Sequence, residues 1–168
     1  MCGDGPYPRC VSTPIEQQDE WFARPDGPEA GLGLRFACTM CGNCCSGPPG
    51  YVLVDDAEIA ALAARLGLSP EAFIERYTHM EAEGRSLNER KTDRGFDCIF
   101  LDRQSIPGKA ICGVYEARPK QCGSWPFWPS LIKDRDSWLR AHNVCPGLDK
   151  GPLHTLQQIR IQRAVINI

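Results

Sequence analysis

Apolar residues recur at Ile59, Leu62, Ala63 and Leu66, the i, i+3, i+4, i+7 stripe of a helix with one buried face. Asp55, with Glu58 three residues on, is an acidic variant of the capping box at its start, and Gly67 ends it. Ser69-Pro70 opens a second helix, with serine as cap and proline in the first helical position. Phe73, Ile74 and Tyr77 form its inner face. The two make a helical hairpin whose role is packing. Just before it, Tyr51-Val52-Leu53-Val54 reads as a short strand of β-branched and aromatic type.

Beyond the hairpin the pattern breaks up. Residues 81–95 are polar and interrupted by glycine, and read as a mobile loop. Asp97-Cys98-Ile99-Phe100-Leu101-Asp102, a turn at Ile106-Pro107-Gly108-Lys109, and Ala110-Ile111-Cys112-Gly113-Val114-Tyr115 predict a β-hairpin with one cysteine on each arm, Cys98 and Cys112. Asp97 and Asp102 read as turn and cap residues. Residues 115–122 predict a short helical turn with Pro119 in its first turn. Residues 131–144 carry a further helix or strand, and 153–166 an amphipathic helix with Leu156, Ile159, Ile161 and Val165 among its apolar residues. His79 and His154 read as surface residues.

Residues 1–34 form an N-terminal extension, because Pro6, Pro8, Pro14, Pro25 and Pro28 with Gly27, Gly31 and Gly33 break any long element. Trp21-Phe22 docks it on the body, residues 35–168. The fold class is α+β: a small, loop-rich domain in which a helical hairpin and a short β-hairpin are organised around a cysteine-ligated metal centre.

Composition sharpens this picture. Fourteen prolines and sixteen glycines in 168 residues leave much of the chain to turns. The net charge of −2, with Arg85, Arg90, Lys91, Arg94, Arg118 and Lys120 scattered on solvated faces, offers nothing to a phosphate backbone and excludes nucleic acid as partner. The N-terminus has no basic start followed by an apolar run, and no stretch has the roughly 18 apolar residues of a membrane span. No membrane partner is expected, and the expected compartment is the cytoplasm. Ten cysteines are far more than a reducing compartment tolerates without ligation.

Four of the ten lie in Cys38-Thr39-Met40-Cys41-Gly42-Asn43-Cys44-Cys45, spaced C-x-x-C-x-x-C-C. Two residues between cysteines let a tight turn aim both sulfurs one way, as in zinc knuckles and ferredoxin loops. Gly42 and Gly47 supply the φ > 0 such a loop needs. Adjacent side chains diverge on an extended backbone, so Cys44 and Cys45 are expected to split between two metals or two cluster edges. Cys98, Cys112, Cys122 and Cys145 complete a set of eight; Cys2 and Cys10 read as incidental thiols. Eight thiolates serve two four-sulfur sites or one polynuclear centre with bridging thiolates. Cys145-Pro146 matches the cysteine that closes a ferredoxin motif, which tilts the choice toward an iron–sulfur cluster over Zn2+. His142, three residues before Cys145, is a candidate ligand or a donor to one. The indoles of Trp125 and Trp128 would exclude water from the centre.

Cys38-x-x-Cys41-Gly42-x-Cys44-Cys45, Cys98-x-Phe100-Leu101, Cys112-x-Val114-Tyr115-x-x-Arg118-Pro119-x-x-Cys122 and Trp125-Pro126-Phe127 together resemble the bacterial YkgJ-like cysteine-cluster family, described as zinc- or iron-chelating. The resemblance runs from about Phe36 to Cys145 and implies metal binding. The same pattern resembles part of the flagellin lysine-N-methylases, which implies the alternative of a cluster-dependent protein-modifying enzyme. Against that, the chain has no Gly-rich motif at a strand end to hold S-adenosylmethionine, and no Ser-His-Asp set or paired carboxylates stand out. The leading expectation is a metal-binding protein with a structural, redox or sensing role, whose partners are the metal or cluster and an unidentified protein. A disulfide-stapled secreted domain is the third reading, and it lacks an export signal.

Overall fold

The computed structural model describes residues 20–166; Cys2 and Cys10 lie outside them. In chain order the elements are β1 (Gly33–Phe36), β2 (Ser46–Gly47), α1 (Asp56–Leu66), α2 (Pro70–Tyr77), β3 (Thr78–Glu81), β4 (Gly84–Leu87), β5 (Glu89–Thr92), β6 (Gly95–Cys98), β7 (Leu101–Asp102), β8 (Ile111–Cys112), α3 (Lys120–Gly123), α4 (Pro129–Ile132), α5 (Arg135–Ala141), β9 (Leu148–Thr155) and α6 (Leu156–Ala164), with 3-10 turns between. The class is α+β, and the strands form small antiparallel ladders: β1–β9, β2–β6–β5, β3–β4 and β7–β8.

The helical hairpin is built as its sequence dictates. The Asp55 carboxylate accepts from the Glu58 amide (2.8 Å) while the Glu58 carboxylate accepts from the Asp55 amide (2.9 Å), closing the capping box. Gly67 ends α1 in the left-handed conformation, and Ser69 caps α2. Ile59, Leu62, Ala63 and Phe73 pack with Val54, Leu87 and Val114 into one core. A second core gathers Phe22, Leu34, Phe127, Ile132, Trp138, Leu148 and Ile159. The ends of the described chain are tied together on it. Phe22 is fully buried, the Trp21 indole donates to the Ile132 carbonyl (3.0 Å), and the buried Glu20 carboxylate takes both Arg160 and Arg163 of α6.

Several elements differ from expectation. Residues 81–95 are not a loop: β3 and β4 form a hairpin and β5 pairs with β6. Only Leu87 is a large apolar residue there, so the ladder leaves no period-2 trace in the sequence. The hairpin of β7 and β8 exists, but Cys112 faces Leu101 and Asp102 faces Ile111. Cys98 belongs to β6, opposite Glu89, so Cys98 and Cys112 are not cross-strand partners. Tyr51–Val54 shrinks to a single bridge, Leu53 to Ser86, and Gln121 Oε1 accepts the Leu53 amide (3.0 Å) in place of a ladder partner. The helix-or-strand alternative for 131–144 resolves to helix, with the end of α4 and all of α5 inside that range. The C-terminal helix begins at Leu156, because Leu153–Thr155 pair with β1. Thr155 then caps α6 in a second capping box with Gln158.

Candidate metal centre

The loop after β1 is shaped by backbone geometry. Met40 (φ 56°) and Gly42 (φ 76°) both sit in the left-handed region. A Cβ on Gly42 would lie 2.6 Å from the Ala110 side chain, so glycine answers both the turn and the close approach. Asn43–Cys45 then form a 3-10 turn, with the Cys45 amide donating to the Gly42 carbonyl (3.1 Å). The expectation that Cys44 and Cys45 diverge assumed an extended backbone. On this turn their sulfurs stand 3.7 Å apart. That is far beyond an S–S bond of about 2.05 Å. It matches one edge of a tetrahedron of sulfurs around zinc, about 3.8 Å for Zn–S of about 2.3 Å.

A polar network under the loop holds it in place. Arg103 donates through Nε (3.0 Å) and Nη2 (3.2 Å) to the two oxygens of Asp97, which is 2% exposed. Arg103 Nη2 also donates to Ser46 Oγ (2.5 Å), and Ser46 Oγ donates to the Gly42 carbonyl (2.7 Å). The hydrogen-bonded Arg103 guanidinium, with help from Ser46, holds the Asp97 carboxyl below the usual carboxylate range. Asp97 is thus a buried anchor and not a turn residue, whereas Asp102 does cap a turn, accepting from the Gln104 and Ser105 amides (2.7 and 3.1 Å). The loop is braced from other segments too. Lys109 Nζ donates to the Thr39 carbonyl (3.2 Å), Asn43 Nδ2 to the Val144 carbonyl (2.9 Å), and the Ala37 amide to the Gly147 carbonyl (3.1 Å). The last of these fastens the approach to Cys38 against the turn that follows Cys145.

All eight cysteines of the sequence-derived set are free thiols, and all eight line one cavity of about 580 Å³. They arrive on five segments: the 38–45 loop, the end of β6, β8, α3 and the turn after α5. The wall draws on both cores, with Phe36, Trp125 and Cys145 from one and Val52, Leu87, Phe100 and Val114 from the other. The thiols ring the cavity without closing on a point: among the described residues, no three Cys, His, Asp or Glu side chains form a ready metal-holding group. Their electrostatics are nonetheless linked. The hydrogen bond with Cys44, then burial, pushes the Cys45 thiol up. Burial pushes Cys98 up to about 11, and raises Cys112 and Cys122. A charge on Cys45 adds to the push on each of those three. Buried sulfurs that also repel one another are the donor set a soft cation fits, since its charge offsets both the cost of burying thiolates and their repulsion.

Arg118 corrects another reading. It is no solvated cation: it lies over the Tyr115 ring at 4.1 Å, lines the cavity, and favours ionised Cys112 and Cys122. Arg85 and Arg90 are likewise engaged, Arg85 with Thr78 Oγ1 (2.9 Å) and Arg90 with the Leu101 carbonyl. Arg103 and Ser46 went unread because a lone arginine or serine carries no spacing signal. Both Trp125 and Trp128 line the cavity. The histidines lie off it. His142 meets Asp149 (2.9 Å), His79 meets Asn88 and Glu81 (2.9 and 2.8 Å), and His154, half-buried against Phe127, meets the Phe36 carbonyl (3.2 Å).

Residues 37–146 match the model of the CxxCxxCC family, described as a "putative zinc- or iron-chelating domain". The match spans well over half of the chain, and the chain belongs to that family. No solved structure gives a significant match. No helix among the described residues is long and apolar enough to cross a membrane.

Proposed function

We propose that this protein holds a metal centre of iron or zinc on the thiolates of Cys38, Cys41, Cys44, Cys45, Cys98, Cys112, Cys122 and Cys145. The observation that carries the proposal is the convergence of eight unoxidised thiols, from five separate segments, on one cavity. Four sulfurs complete a tetrahedral site, so eight suffice for two such sites or for one polynuclear centre. The bound metal would supply folding free energy by clipping those segments together, and iron would add electron transfer or redox sensing. Free thiols in this number suit a reducing compartment such as the cytoplasm.

The test is elemental analysis by mass spectrometry of the full chain purified without oxygen, beside a Cys44→Ser/Cys45→Ser variant. The expected result is iron or zinc at a fixed ratio to protein, sharply reduced in the variant. A folded wild-type protein that carries neither metal, and takes up neither on titration, would overturn the proposal.

A further inference from the structure

Among the described residues, Cys44 and Cys45 are the one pair of cysteine sulfurs in hydrogen-bonding contact, 3.7 Å apart. They ride on the 3-10 turn Asn43–Cys45, which the Cys45 amide closes on the Gly42 carbonyl (3.1 Å). Cys44 is exposed and Cys45 half-buried. An exposed thiol thus has a second thiol at its side, the arrangement in which a resolving sulfur captures an oxidised one before it is oxidised further. Cys38 is the other exposed thiol among the described residues, and no sulfur stands in such contact with it.

Closing 3.7 Å to the about 2.05 Å of an S–S bond is a local change within one turn. The bond that results is strained. Adjacent Cα atoms are about 3.8 Å apart, short of the roughly 4.4–6.8 Å that disulfides ordinarily span. Strained or exposed disulfides are the labile, regulatory kind, whereas structural ones resist cellular thiols. A bond at this turn therefore needs a strong oxidant to form, and an ordinary thiol undoes it.

We propose that Cys44–Cys45 is a site of reversible oxidation by peroxides. The Cys44 thiolate attacks the peroxide O–O bond, which breaks to leave a sulfenic acid on Cys44 and releases an alcohol or water. The Cys45 thiol then displaces hydroxyl from that sulfur, which forms the S–S bond and releases water. The two thiols lose two electrons and two protons, and the peroxide gains them. Two molecules of a monothiol such as glutathione reverse the step and leave as their own disulfide. One consequence rests on the metal centre proposed above: the two sulfurs span one edge of a four-sulfur site, so their oxidation takes two ligands from the metal and releases it.

The experiment treats full-length protein, purified without oxygen, with hydrogen peroxide. Remaining thiols are blocked with N-ethylmaleimide, tryptic peptides are read by mass spectrometry, and released metal is read with a chromogenic chelator. Residues 36–65 make one tryptic peptide, which holds Cys38, Cys41, Cys44 and Cys45. The expected result is that peptide with maleimide on Cys38 and Cys41 and an internal Cys44–Cys45 bond, formed in step with metal release and opened again by glutathione. In Cys45→Ser, Cys44 should go on to sulfinic acid. Four maleimide-labelled cysteines, a disulfide to any other cysteine, or sulfinic acid on Cys44 of the wild type would each overturn the proposal. A bond that glutathione leaves closed would overturn its reversibility. A bond formed while the metal stays bound would overturn the link to the centre. A bond formed in protein that binds no metal would overturn the centre and leave the oxidation site standing.

Discussion

Asp97→Ala isolates the network beneath the cysteine loop. The change leaves Arg103 without its two-point partner, at N–O distances of 3.0 and 3.2 Å. Removing one member of a buried ion pair costs about 3–5 kcal/mol. The Arg103 side chain is 24% exposed, so water recovers part of that, and about 2–3 kcal/mol of stability should be lost. The consequence for metal is separate from the loss of stability. With Arg103 released, Ser46 no longer holds the Gly42 carbonyl, and the turn carrying Cys44 and Cys45 loses its support. Outer partners of metal ligands are worth about 10–100-fold in affinity. Leu62→Ala, fully buried in the helical-hairpin core and off the cavity, is the control, with an expected loss of about 2–5 kcal/mol. Urea unfolding gives the stabilities, and zinc competition against a chromogenic chelator gives the affinities. Asp97→Ala should weaken zinc binding by about 10–100-fold relative to Leu62→Ala. Equal affinities in the two variants would refute the claim that the Asp97–Arg103 pair organises the cysteine loop.

The same pair fixes an acid limb. The folded-state value for Asp97 is lowered by Arg103, so its contribution is complete above the ordinary carboxylate pKa of about 3.9 and is lost as the pH falls through the lowered value. Asp97→Asn should flatten that limb in a stability profile between neutral pH and pH 2, and an unchanged limb would count against the pairing. Burial helps to hold the Cys45, Cys98, Cys112 and Cys122 thiols above the usual thiol range, Cys98 at about 11, so metal binding must displace protons. Zinc titration in weakly buffered solution should therefore acidify the sample, and apparent affinity should climb from pH 6 to pH 8; a flat profile would contradict thiolate ligation. Gly147→Ala would put a Cβ 2.0 Å from the Ala37 carbonyl oxygen. The forced shift should cost about 1–3 kcal/mol and lower the melting temperature, and an unshifted melt would show that the contact yields freely.

The sequence exposed what repeats or caps. The stripe Ile59, Leu62, Ala63, Leu66, the capping box at Asp55 and the serine cap at Ser69 are local signals, and the hairpin stands where they put it. Half-buried ladders such as β3–β4 are held by backbone bonds between mostly polar residues, so no alternation announced them. The cysteines were visible as a set because thiols at that density are rare. Their approach to one cavity depends on long-range pieces that no local pattern encodes: the β1–β9 ladder, the Ala37–Gly147 bond and the Asp97–Arg103–Ser46 chain. His154 was misread for the same reason, because its partners Phe127 and the Phe36 carbonyl lie far away in sequence.

Thiolate sulfurs from distant segments meeting on one bound metal centre is the core of this account, and X-ray absorption at the metal edge of anaerobically prepared protein reads it directly. The account predicts a first shell of sulfur at about 2.3 Å. A first shell of nitrogen and oxygen would contradict it.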